Sequence, residues 1–143
     1  MATTITKNFS LEELCASDVA KAKKINNTPG TQAVVNLVHL TVNVLQPLRD
    51  WYGKPILIGS GYRSAALNKA VGGVRNSQHM EGKAVDLYIE GDRSKGWCWF
   101  KYIRDHLLFD QLIWEHNAKG TYWVHVSFNR GYNRKQVISD MTK

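Results

Sequence analysis

Two short segments alternate so strictly that they constrain most of what this chain can become. In the stretch 84–89, Val85, Leu87 and Ile89 fall on one side while Ala84, Asp86 and Tyr88 fall on the other. In Trp123-Val124-His125-Val126-Ser127 the valines share one side, and Trp123, His125 and Ser127 share the opposite one. A period of two marks a half-buried strand, whose successive side chains point to opposite faces. A chain with such strands needs a sheet with one covered face and one open face. The open face here carries Asp86 and His125.

Helices supply the cover. Ser10 followed by Glu13, with Phe9 and Leu14 as flanking apolar residues, predicts a capped and stapled helix start. Beyond the breaker cluster at 26–30, Val34, Leu37, Val38, Thr41, Leu45 and Leu48 form one helical stripe, which Pro47 is expected to kink or interrupt. Ile56-Leu57-Ile58 reads as a short buried strand, residues 65–71 as a brief helix stopped by Gly72-Gly73, and residues 74–81 as a loop. Ser94 is expected to cap a helix with Trp97, Phe100, Ile103 and Leu107 at core spacing. Trp51, Trp97, Trp99 and Trp114 are expected to pack, and Trp123 to face outward beside His125. Segments 110–115 and 122–128 flank the turn-forming Asn117-Ala118-Lys119-Gly120, which predicts a hairpin, and 136–139 an edge strand. Helices first and strands later give an α+β domain with a mainly antiparallel sheet and helices packed on one face. At 143 residues, one such domain spanning 1–143 is expected.

Composition narrows the partners. Lys and Arg outnumber Asp and Glu by 19 to 12, so a formal charge of +7 favours polyanionic surroundings, either nucleic acid or the bacterial envelope. Hydrophobic residues at 43% exclude a disordered chain. The sequence has neither an apolar run near the ~18 residues of a membrane span nor a basic start leading into an apolar run, so synthesis in the cytoplasm is expected. Cys15 and Cys98 are too few for a disulfide framework and are expected to be buried thiols.

Two histidines with one carboxylate form the borderline donor set of a catalytic zinc, which keeps a fourth position for water. His79 lies in Ser77-Gln78-His79-Met80-Glu81-Gly82-Lys83-Ala84-Val85-Asp86, and a turn at Gly82 can return His79 to the side of Asp86. His125 shares that open face. Strand parity adds an acid: burying Leu112 and Trp114 beside Val124 and Val126 pairs even positions with even ones, which needs an odd hairpin loop. Glu115 then joins Trp123 and His125 on the metal side. A four-residue loop would instead bury Glu115 among valines without a partner.

These residues resemble the zinc D-alanyl-D-alanine carboxypeptidases and L-alanyl-D-glutamate endopeptidases of bacteria and phages, which share the Hedgehog/DD-peptidase fold. The resemblance runs through Gly61-Tyr62-Arg63-Ser64, the stretch from Ser77 to Asp86, and Trp123-Val124-His125-Val126-Ser127. It implies Zn2+ on His79, Asp86 and His125, a substrate or oxyanion contact for Arg63, and a substrate-carboxylate contact for Ser77. The chain departs from the family in one respect: where many members carry the catalytic Glu three residues before the last zinc His, this sequence has Tyr122. Glu115 is therefore the expected base, with Glu81 next in line, and Trp123 is expected to line the substrate groove.

The reading is a zinc metallopeptidase acting on the peptide part of peptidoglycan, with neither nucleic acid nor membrane as partner, working as a monomer and without a covalent intermediate. If phage-encoded, it would reach the wall after release through a membrane pore opened by another protein; a bacterial enzyme trimming wall fragments is the alternative. A nucleic-acid enzyme or binder also suits the charge, but no recognisable nucleic-acid module is present. A wall-binding module of the same fold without catalysis is the third possibility.

Overall fold

The computed structural model describes residues 3–143. Its elements follow in the order β1 (Thr4–Thr6), β2 (Phe9–Ser10), α1 (Leu11–Cys15), α2 (Asp18–Lys23), α3 (Thr31–Leu40), a π-helical turn (Thr41–Leu45), α4 (Gln46–Tyr52) and β3 (Leu57–Ser60). Then come α5 (Ala65–Ala70), a 3-10 turn (Gln78–Glu81), β4 (Ala84–Tyr88), α6 (Ser94–His106), β5 (Gln111–His116), β6 (Tyr122–Ser127) and β7 (Gln136–Thr142). Among the described residues no helix is long and apolar enough to cross a membrane.

The main sheet has the order β3-β4-β6-β5-β7. The first three pairings are antiparallel, and β7 joins β5 in parallel. Alternation puts Val85, Leu87, Leu112, Trp114, Val124 and Val126 into one core with Leu37, Leu40, Val44 and Leu48 from the long helical segment and Phe100 and Ile103 from α6. The fold is α+β, as the pattern predicts. Phe9 and Leu14 both enter that core, and Ser10 Oγ accepts from Glu13 N at 3.2 Å, so the expected cap and staple close α1.

Pro47 does not interrupt the helical run, which continues from Thr31 to Tyr52. It stands at the start of α4, directly after the π-helical turn, in which the Gln46 N–H reaches back to the Thr41 carbonyl. A wider turn just before a residue without an N–H lets the stripe continue with its apolar side still facing the sheet. Ser94 does not cap α6: Asp92 Oδ1 accepts from Ser94 N at 2.9 Å, and Ser94 is the first helical residue. The hairpin loop runs from residue 117 to 121, an odd count, with Asn117 Oδ1 accepting from Lys119 N and Thr121 N. Leu112 pairs with Val126, Trp114 with Val124, and Glu115 with Trp123, which is the register that parity requires.

Other expectations are corrected. Trp51 is 46% exposed and stacks on Tyr102 rather than entering the core. Cys15 and Cys98 are free but only half-buried, and burial pushes the Cys15 thiol up to about 11. Part of the expected 74–81 loop winds into the 3-10 turn, and the edge strand extends to Thr142.

Candidate metal centre

The centre is assembled from the 3-10 turn and the polar face of the sheet. Ser77 caps the turn, its Oγ accepting from His79 N at 3.1 Å. The turn ends at Gly82, which has φ +74°. A side chain there would also drive a Cβ to 2.4 Å from the Ala33 carbonyl oxygen of α3. Gly82 therefore permits both the left-handed step and the close approach that carry the chain from His79 back to Asp86. Asp86 and His125 are direct neighbours in the β4–β6 ladder.

His79, Asp86 and His125 converge so that one ligand atom from each lies within 4.8 Å of the others. Asp86 Oδ1 is 3.4 Å from His79 Nε2 and 3.0 Å from His125 Nδ1. A tetrahedral zinc with bonds of ~2.0–2.2 Å holds its ligand atoms about 3.3 Å apart, which both Asp86 separations match and which the chemistry of a His-Asp-His set suits. The tautomer also fits. His79 Nδ1 sits 2.8 Å from the Gly61 carbonyl, which only accepts, so neutral His79 carries its proton there and leaves the Nε2 lone pair facing Asp86. Burial alone would raise the Asp86 carboxyl, but the two histidines beside it, His79 and His125, outweigh it and hold the group well below the usual carboxylate range.

Glu115 stands beside this set, its Oε1 3.7 Å from His125 Nδ1, and is 6% exposed. Burial pushes its carboxyl up and the charge of Asp86 adds to the rise, while His125 pulls the other way. Trp123, its cross-strand partner, places an indole N–H against that carboxylate without completing a hydrogen bond. Arg63 is 5% exposed, with Nε donating to Ser60 Oγ at 3.2 Å, one terminal nitrogen to Asn68 Oδ1 at 2.9 Å, and the other lying 3.7 Å from Asp86 Oδ2. Burial lowers its pKa and the nearby Asp86 and Glu115 raise it. Guanidinium remains charged in proteins.

A cleft of about 430 Å³ opens on His125 and is lined also by Ser77, Gln78, Asp110, Gln111 and Arg134. A larger hollow of about 560 Å³, bounded by Trp97, Trp114 and Tyr122, lies between α6 and the β5–β6 hairpin and reaches none of the metal-binding side chains. Chemistry belongs to the smaller cleft. Of the residues singled out in the sequence, His79, Asp86 and His125 cluster, Arg63 and Glu115 each lie 3.7 Å from a member of that cluster, and Ser77 lines the cleft with His125. Trp123, expected to line the groove, is the strand partner of Glu115 and is not among the residues lining the cleft.

Residues 7–127 match the family described as Peptidase M15. This chain belongs to the peptidase M15 family. Among curated relatives, the zinc D-Ala-D-Ala carboxypeptidase of Streptomyces albus G is 40% identical over 94 residues, 64% of this chain. The match spans 34% of that relative's length, so this M15 chain corresponds to about a third of it.

The supports behind the site left little trace in the sequence. Ser60 and Asn68 grip Arg63, Gly61 orients His79, and Asp110 binds Arg134. Arg134 reads as part of a solvated basic tail. The one signal pointing otherwise is Asp110, an acid at the very start of an apolar strand.

Proposed function

We propose that the protein is a zinc-dependent peptidase that hydrolyses an amide bond in the peptide stem or cross-links of bacterial peptidoglycan. The observation that carries this reading is a His-Asp-His donor set whose ligand atoms lie within 4.8 Å of one another, with a buried carboxylate, Glu115, 3.7 Å from one ligand nitrogen. Family membership and the zinc carboxypeptidase relative support it. His79, Asp86 and His125 would hold a zinc ion, which when bound would supply a Lewis acid and acidify a water.

The chain's own groups do the rest. Glu115 is the general base, taking the proton of the attacking water at its carboxylate and passing it to the leaving amine. Burial, with the charge of Asp86 adding, holds its carboxyl above the ordinary value. Arg63, fixed by Ser60 and Asn68, contributes a preorganised positive charge for the developing oxyanion. Ser77 Oγ accepts from His79 N but keeps its own O–H, which is free to donate to a substrate carboxylate. Trp123 lies beside Glu115 across the β5–β6 pair and helps keep that carboxylate from solvent.

Digestion of purified muropeptides with the zinc-loaded protein, read by mass spectrometry, tests this. Products differing by hydrolysis at one amide bond are expected, absent with His125→Ala. Intact muropeptides alongside tight wall binding would replace the reading with a non-catalytic binding module.

A further inference from the structure

The topology drives one loop across the mouth of the cleft. β6 ends at Ser127 and β7 runs parallel to β5, so residues 128–135 must cross the start of β5. Asp110 pins that crossing. Its carboxylate accepts from Arg134 N at 2.9 Å, Arg134 Nε at 3.0 Å, a terminal Arg134 nitrogen at 2.7 Å and Gln78 Nε2 at 3.0 Å. Its backbone carbonyl accepts from Gln136 N at 2.9 Å, which closes the crossing where β7 begins.

The two partners differ sharply in exposure, the Asp110 side chain being 1% exposed and that of Arg134 51%. A buried carboxylate thus grips the inner edge of a guanidinium whose outer edge faces solvent at the cleft. Arginine carries five N–H donors. Asp110 engages the Nε donor and one terminal nitrogen, and among the described residues no other acceptor bonds the rest. Lys83, the other lysine or arginine lining the cleft, is paired with Glu81 at 3.2 Å. Both cleft cations keep unused donors, but Arg134 is the one that presents a planar fork held in place from behind, in the same cleft as His125 and Ser77.

We propose that Arg134 binds a free carboxylate of the substrate peptide, with Asp110 and Gln78 as the positioning residues that hold its fork at the cleft. This rests on the peptidase reading and deepens it, because it selects an acidic peptide whose carboxylate lies near the cleaved bond. In a wall stem peptide that carboxylate is either the C-terminal one or the α-carboxylate of the D-glutamyl residue.

The test is calorimetric titration of the full chain, with zinc withheld by a chelator so that binding is read without turnover. The probes are L-Ala-γ-D-Glu-L-Lys-D-Ala-D-Ala as the free acid, as its C-terminal amide, and as its D-glutamyl α-amide. In the wild type, one amidation is expected to weaken binding about 10- to 100-fold, the scale of a charge-assisted hydrogen bond, and which one it is identifies the source. In Arg134→Gln that same amidation is expected to matter by less than ~2-fold, with Arg134→Lys intermediate because it keeps the charge and loses the fork. Equal weakening of all three peptides by Arg134→Gln, or wild-type binding indifferent to both amidations, overturns the proposal. If Arg134→Gln fails to fold, an undiminished amidation effect in Arg134→Lys overturns it instead. Hydrolysis by the zinc-loaded wild type is scored separately: carboxylate discrimination without cleavage removes the peptidase reading and leaves Arg134 as a binding residue.

Discussion

Replacing Gly61 by alanine probes how the metal-binding loop is held. A Cβ at Gly61 would lie 2.0 Å from the Leu14 carbonyl oxygen and 2.9 Å from its carbon. Relief needs a displacement of about 1.5 Å, since comfortable contacts begin near 3.5 Å. Neither side yields easily: Leu14 is fully buried, and its carbonyl accepts from Tyr62 N at 2.8 Å. Moving residue 61 by that amount stretches the 2.8 Å contact between His79 Nδ1 and the Gly61 carbonyl past the ~3.5 Å at which it stops being a hydrogen bond. Losing the outer partner of a metal-binding histidine costs about 10- to 100-fold in metal affinity. Overpacking costs about 1–3 kcal/mol, and at roughly 3–4 °C per kcal/mol in a chain of this size the apo protein should melt about 3–12 °C lower. Competition with a chromogenic chelator reads the first effect and thermal unfolding the second. An unchanged zinc affinity beside a lowered melting point would refute the orienting role of the carbonyl, and an unchanged melting point would refute the steric argument itself.

Glu115→Gln is expected to keep zinc and fold while turnover on wall peptides falls ~100-fold or more, the scale for losing a general base; normal zinc content with near-wild-type turnover would clear Glu115. Asp110 is held down to about 2, chiefly by its hydrogen bond from Arg134, against an ordinary value of 3.8. A depressed acid stabilises the fold above its unfolded pKa and loses that contribution as pH falls through the folded one. The stability gap between wild type and Asp110→Asn should therefore shrink between pH 5 and pH 2, by at most about 2 kcal/mol because solvent screens the exposed side of Arg134. Denaturant titrations showing a constant gap would reject the linkage. If the +7 charge recruits the protein to anionic wall, activity on whole walls should fall with salt while activity on a small neutral peptide holds; equal salt sensitivity on both substrates would count against recruitment.

Which elements were legible follows from how locally each is determined. β4 and β6 carry strict alternation, and α1 carries its cap and staple within a few residues, so all three are readable from short windows. α2 has only Ala20 buried, leaving no apolar stripe to detect, although Ser17 caps it in the same way as Ser10 caps α1. β1 and β2 are too short to show a period. The crossing that leads into the parallel strand β7 is held by Asp110–Arg134 bonds, which join residues 24 apart in sequence. No window of local sequence contains that information.

The site divides along the same line. Parity within the β4–β6–β5 ladder is a local rule, and it suffices to put Asp86, His125 and Glu115 on one face; Gly82 then brings in His79. What parity cannot supply is the second bond each of these groups makes. The Gly61 carbonyl behind His79 is 18 residues away in sequence, and a backbone carbonyl has no residue-type signature at all. Gly82 shows the same limit, because its positive φ is guessable from a turn, whereas the approach of the Ala33 carbonyl, which excludes a side chain independently, depends on how α3 packs. Donor identity is therefore written in the sequence pattern, while donor orientation is written in the packing. Substitutions at Gly61 and Gly82 should accordingly weaken zinc binding even though neither residue offers a ligand atom.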